Sequence, residues 1–339
     1  MNTETLHPEA QPEPSAVPRR REFNFSSGVK PVSVASPKAH RSVRITAGAV
    51  VVLPFLATVF ALGSLFYRGI TRTEILLLAV GYTLTLLGIN VGFHRHFAHN
   101  SFKTSKAMRV VFCILGSMAG QGPLYWWVAV HRRHHRHSDG PGDPHSPNLV
   151  PGKGWIREVK GFWYGHIRWM FSNEITNWVH FAPDLIKDRA LFLMHRTYFL
   201  WLILGLAIPA AIGGLAAHSL AGAFFGLVWG GLVRLCLVDH ALWFVGSISH
   251  MVGTRPFARA TTDRSCNNHA VALIAFGEGL QNNHHAFPNS ANHRINWWEP
   301  DFAADVIFLL KKAGLVWNVK TPSPALVAKA RGHVGIVEL

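Results

Sequence analysis

Three short stretches of this chain concentrate imidazole: His94-Arg95-His96-Phe97-Ala98-His99, His131-Arg132-Arg133-His134-His135 and Gln281-Asn282-Asn283-His284-His285. On a helix, residues at i, i+3 and i+4 share a face, so His131, His134 and His135 can aim their rings at one centre. A lone histidine is more often a surface or hydrogen-bonded residue than a ligand. Three clusters with short, matched spacings reverse that expectation. Together with the outlying His250 they give the candidate metal ligands His94, His99, His131, His134, His135, His250, His284 and His285. His94 and His99 are five residues apart, about 140° around an ideal α-helix, so this pair must span a helix end or serve two metals. His96 and His137 fall off the register and are assigned hydrogen-bonding or surface roles.

Neutral imidazole suits zinc, copper and iron about equally, so donor type does not name the metal. The number of donors says more. A single tetrahedral zinc takes about four protein ligands, whereas this many histidines can hold two ions and leave coordination positions open. Two open ions with no cysteine beside them fit oxygen activation by non-haem iron better than hydrolysis. A histidine-rich metal transporter or zinc store is the alternative that the residues leave open.

The elements that must position these histidines are those of a membrane protein. Of the 339 residues 49% are hydrophobic and only 15% charged, too apolar a balance for an ordinary soluble chain. The formal charge of +15 would suit nucleic acid, but the basic residues lie between long apolar runs, as the positive-inside rule places them. Cys113, Cys236 and Cys266 are scattered and odd in number, which gives neither a disulfide framework nor a zinc knuckle. Residues 1–44, rich in Pro, Glu, Ser and Arg, read as a disordered tail without a cleaved signal peptide. Apolar runs at 45–67 and 75–93 are long enough to cross a bilayer and form a first hairpin. Residues 110–130 are interrupted by Gly116, Gly120, Gln121, Gly122 and Pro123. They read as an embedded or re-entrant segment that returns to the same face, without which His131 could not meet His94. Interleaved aromatic and basic residues at 155–171 suit a helix lying among lipid headgroups. A second hairpin, 198–217 and 220–245, brings the chain back to the side of His250, Arg255 and the third cluster. An amphipathic helix at 301–315 then packs on the site, and 319–339 form a C-terminal tail.

At this point the residues carry a resemblance. His94-x4-His99, His131-x2-His134-His135 and the run Gly277-Glu278-Gly279-Leu280-Gln281-Asn282-Asn283-His284-His285-Ala286-Phe287-Pro288 resemble the three histidine boxes of the membrane fatty acid desaturases, and most closely the delta-9 acyl-CoA branch. Gly92-Phe93-His94-Arg95 before the first box and Asp139 after the second extend the match over residues 45–318. The resemblance implies an all-α membrane protein: four transmembrane helices in two hairpins under a cytosolic helical cap, with both termini and the histidine boxes cytoplasmic. It implies two iron ions in a diiron centre that uses molecular oxygen and two electrons to insert a cis double bond, at the delta-9 position, into a long-chain acyl substrate. His250 matches the extra histidine ligand of that branch. Two positions depart from the pattern. Gln281 stands where the third box usually opens with histidine, and an amide is a weak ligand for iron. Gly246 stands where the family often has an asparagine.

On this reading Trp126 and Trp127 are wall residues of a bent, dry acyl tunnel, and Arg132, Arg133, Arg136 and Arg255 pair with an anionic headgroup such as the CoA phosphates. The substrate is long-chain acyl-CoA or acyl-lipid, and nucleic acid is not a partner. No flavin, haem or ferredoxin motif is visible, so electrons come from a separate donor such as ferredoxin, cytochrome b5 or a reductase. A related membrane diiron hydroxylase is the rival enzyme.

Overall fold

The computed structural model describes residues 29–332, so the tail expected over 1–28 and the last stretch of the C-terminal tail, 333–339, lie outside the described residues. Among the described residues four helices are long and apolar enough to cross a bilayer: α1 (Pro37–Arg68), α2 (Arg72–Ala98), α6 (Tyr198–Ala217) and α7 (Leu220–His250). Between α2 and α6 lie α3 (Lys106–Met118), α4 (Leu124–His137) and α5 (Gly154–His166). After α7 come α8 (His269–Ile274), α9 (Gln281–Ala286), α10 (Phe302–Lys312) and α11 (Pro324–Ala330).

Order begins before residue 45. Val32–Val34 pairs antiparallel with Glu174–Thr176, and α1 already starts at Pro37. Ser36 caps it and Pro37 fills its first turn, a strong helix-start pair that overrides the polar composition on which the boundary at 44 rested. Nor does a tail begin at 319. Val316–Trp317 pairs with Lys103–Thr104, the Lys320 N–H donates to the Ser101 carbonyl at 2.9 Å, and its own carbonyl accepts from Ala291 at 2.8 Å.

The link from α1 to α2 is three residues, 69–71. Gly69 leaves α1 at φ 70°, and Thr71 with Glu74 forms a reciprocal cap at the start of α2. Glu74 also takes the Arg68 guanidinium at 2.6 and 3.1 Å, which neutralises one of the two arginines there. The two helices follow one another through this short link, yet each of them, like α6, packs mainly against the Leu227–Val233 stretch of α7, and they touch one another far less. Small residues permit this: a Cβ on Gly230 would fall 2.6 Å from Pro209 Cβ and 2.9 Å from Leu77 Cβ. Apolar length tells which segments are lipid-soluble, not which faces meet.

Residues 110–130 do not form a span. They are the end of α3, a turn in which Gly120 and Gly122 adopt φ 81° and 100°, and the start of α4. The chain doubles back there, so α4 carries His131 to within 2.7 Å of His99. From Gly88 to Ala98, α2 widens into a π-helix. This stretch presses on α3, where a Cβ on Gly88 would meet the Gly116 nitrogen at 2.4 Å and one on Gly92 the Phe112 Cβ at 2.7 Å.

Candidate metal centre

The π-helical stretch resolves the five-residue spacing of the first cluster. With one extra residue in the turn, the His99 N–H donates to the His94 carbonyl at 3.1 Å, and the two rings lie 4.9 Å apart instead of on divergent faces. They therefore belong to one group, and of the two alternatives left open by their spacing the structure shows the helix end, with His99 just past Ala98. On α4, His131, His134 and His135 share a face as their spacing requires. The third cluster sits on α9, a single turn entered through Gly277 at φ 106°. A Cβ on Gly277 would strike Asp301 Oδ1 at 2.2 Å, so only glycine lets this loop pack so close.

Two groups result. Ligand atoms of His94, His99, His131, His135 and His284 all lie within 4.8 Å of one another, and so do those of His134, His250 and His285. The groups adjoin, with the His135 and His285 ring centroids 4.4 Å apart. In the first, His284 Nε2 faces both His94 Nε2 at 3.0 Å and His135 Nε2 at 2.9 Å, and His99 Nε2 faces His131 Nε2 at 2.7 Å. The His94 Nδ1–H donates to Glu278 Oε2 at 2.6 Å, so its Nε2 presents a lone pair inward. Lone pairs converging in a dry pocket repel unless a cation lies between them. This donor set fits metal ions, and all-imidazole donors of this kind suit iron as well as zinc or copper.

Four carboxylates fix the rings from behind. Beside the Glu278–His94 pair, Asp143 holds His134 Nδ1 at 3.0 Å, Asp139 holds His250 Nδ1 at 2.9 Å, and Asp263 holds His285 Nδ1 at 2.6 Å. Each sets the tautomer in which Nε2 carries the lone pair a metal would take. Glu278 is itself clamped by the fully buried Arg95, which also binds Asp301 at 2.8 Å. Burial, reinforced by neighbouring imidazoles, holds His99, His131, His135 and His284 well below the usual histidine range. Burial also pushes His285 down to about 4 although Asp263 pulls the other way. These five rings are thus neutral at pH 7, as ligation demands. Burial raises the Asp139 and Asp263 carboxyls, but the facing His250 and His285 outweigh it and leave both well below the usual carboxylate range.

Of the carboxylates only Asp139 stood out in the sequence, and Glu278 lay unremarked inside the third motif. Asp143 and Asp263 carried no spacing signal. Two histidines were also missed. His293 Nε2 is buried without a hydrogen-bond partner, 4.4 Å ring to ring from His284, and its atoms group with those of His94 and Glu278. His145 stacks on His134 at 4.4 Å and faces Gly246, where a Cβ would come 3.5 Å from its Nδ1. His96 points away and bonds the Phe102 carbonyl at 3.2 Å. Gln281 is buried, donating to the Glu278 carbonyl at 3.1 Å, so its amide oxygen is the donor it has left to offer.

A cavity of about 540 Å³ opens beside the histidines, and Trp126 and Trp127 line it together with His94, His131, His134 and His250. The arginines assigned to a headgroup do not reach it. Arg132 is buried against Asp184 at 2.6 and 3.0 Å and three backbone carbonyls. Arg133 holds Glu174 at 2.6 Å and the Gly142 carbonyl at 2.8 Å. Arg255 donates to the Ser265 and Asp263 carbonyls, and Arg136 is exposed on the outer face of α4. On a helix the residue after a ligand is turned about 100° away from it, which is why adjacency to His131 sent Arg132 elsewhere.

Residues 73–318 match the family model described as fatty acid desaturase. The chain is 44% identical over 277 residues to a hex-5-enoyl-[acyl-carrier protein] acetylenase of Moorena producens, covering 81% of this chain and 86% of that protein. It is 38% identical to an sn-1 stearoyl-lipid 9-desaturase of Anabaena variabilis over 71% of this chain and 84% of that protein. It is 37% identical to an acyl-CoA C20 Delta5-desaturase of Anemone leveillei over 70% of each.

Proposed function

The chain belongs to the fatty acid desaturase family and is a desaturase of fatty acyl chains, and from that premise we propose that it forms a cis double bond at the delta-9 position of a long acyl chain with two iron ions. His94, His99, His131, His135 and His284 would hold one iron, and His134, His250 and His285 the other, with Gln281 at the edge of the site. The convergence of two buried histidine groups beside an apolar cavity is the observation that carries this reading. Bound there, the irons would supply the oxidising power to break two unactivated C–H bonds. The overall conversion takes dioxygen, two electrons, two protons and the two substrate hydrogens to two waters.

The chain's own residues do the rest. Glu278, Asp143, Asp139 and Asp263 keep each Nε2 in the donor tautomer. Trp126 and Trp127 hold the acyl chain and exclude water, so that one carbon pair stays within reach. Electrons come from a separate donor, a ferredoxin, cytochrome b5 or reductase. The four spans cross the bilayer with the termini and histidines on the cytoplasmic side, in keeping with the arginine and lysine residues that precede α1.

The test is expression in a host of defined fatty acid profile, with methyl esters located by mass spectrometry and iron measured on purified protein. The expected result is a new delta-9 olefin with the intact chain and none with His134→Ala. An oxygen-18 label retained in the product would instead mean hydroxylation, and absence of iron would remove the metal reading.

A further inference from the structure

The carrier of the acyl chain is legible at the cavity, on the premise of the desaturase reading above. A thioester of CoA or of a carrier protein brings phosphate with it, and phosphate in a protein mouth is met by Arg or Lys donors. A glycerolipid needs none of these, but it needs a way in from the bilayer. Among the described residues no Arg or Lys lines the cavity. Of the guanidinium groups close to the ligands, Arg95 is clamped between Glu278 and Asp301, and the buried Arg132 and Arg133 pair with Asp184 and Glu174. Turning them outward would break the bonds that Arg132 gives the Ala98, Phe97 and Phe181 carbonyls and that Arg133 gives the Gly142 carbonyl.

The other wall of the cavity is α1. Ser42, Val43, Thr46, Ala47 and Val50 line it along one stripe at helical spacing, while Ile45, Val52 and Leu53 expose apolar surface on the outside of the same helix. A single helix therefore stands between the cavity and lipid. Its depth follows from its length. Counting back from Arg68, about 20 residues cover a hydrocarbon core of roughly 30 Å, which sets the boundary near residue 48. The lining stripe straddles that boundary. The same cavity is lined by Trp169, Trp178, Phe199 and Trp243, an aromatic set of the kind found at headgroup depth. The segment Arg168–Phe171 ties the two sides together, with the Phe171 carbonyl 3.3 Å from His40 Nε2 at the start of α1. It follows α5, whose exposed Trp155, Ile156, Val159 and Trp163 give that helix the surface of one lying on a membrane.

We propose that the substrate is an acyl chain esterified in a bilayer glycerolipid, which enters laterally past residues 42–50 of α1 while its headgroup stays in the interface. Membranes carrying the full chain, with the electron supply of the host, are given the same deuterated stearoyl chain in three forms: phosphatidylcholine vesicles fused to them, stearoyl-CoA, and stearoyl-acyl carrier protein. Double bonds are read by mass spectrometry at early times, before acyl exchange. Phosphatidylcholine should be desaturated about tenfold faster than either thioester. In the same assay Thr46→Trp should slow the lipid reaction severalfold with iron content unchanged. Label appearing first in a thioester, or full lipid activity in Thr46→Trp, overturns the proposal while leaving the desaturase reading intact. No olefin above the His134→Ala background in any form would sink both.

Discussion

At the scale of single residues, the site is a set of imidazoles made useful by what stands behind them. A histidine without its carboxylate can turn or take the wrong tautomer, so the outer partners matter nearly as much as the donors. Asp263→Asn keeps the shape of the side chain but removes the charge facing His285 Nδ1 at 2.6 Å. Metal affinity or activity should fall about 10–100-fold, read as iron per protein and olefin yield. Asp143 and Asp263 escaped the sequence reading because nothing local pairs a carboxylate with a ring nine or twenty-two residues away until the backbone folds between them. The histidine spacings were legible because a helix period of 3.6 is a local property.

At the scale of elements, the π-helical end of α2 decides whether His94 and His99 can serve one ion. Deleting Val91, upstream of both, would take one residue out of that stretch and turn both rings together by roughly 100° relative to the histidines of α4 and α9. The protein should then fold but lose iron, with one metal or fewer per chain by elemental analysis. A second element, α5, is fastened to α7 by histidines: His166 Nε2 lies 3.0 Å from His240 Nδ1, and its Nδ1 lies 3.1 Å from Ser247 Oγ. Burial, then the nearby His240, pushes His166 down to about 4, below its unfolded value near 6.5. The unfolded chain therefore binds a proton first as pH falls, so this fastening is intact above pH 6.5 and weakens between 6.5 and 4. Thermal unfolding followed against pH should show that acid sensitivity, and His166→Gln should remove one proton's share of it, the other buried histidines supplying the rest.

At the scale of the whole molecule, the histidines join the end of α2, the face of α4, the end of α7 and the loop of α9 across 190 residues of sequence between His94 and His284. Metal binding at such a site acts as a cross-link present only in the folded state. Its stabilisation rises with the logarithm of ligand over dissociation constant, about 2.7 kcal/mol at a hundredfold excess. Ferrous loading of stripped protein should accordingly raise the unfolding temperature, and His284→Ala should abolish the rise. The sequence by itself determined the class of molecule, the apolar runs long enough to cross a bilayer, and the identity of the clustered imidazoles. Those follow from composition and from spacings within one turn of helix. The tertiary structure decided that α1 and α2 meet through α7, that residues 110–130 turn back, which carboxylates orient which rings, and that Arg132 and Arg133 face inward to acids instead of the cavity. Each of these depends on contacts between segments far apart in the chain, where period and propensity carry no information about the partner.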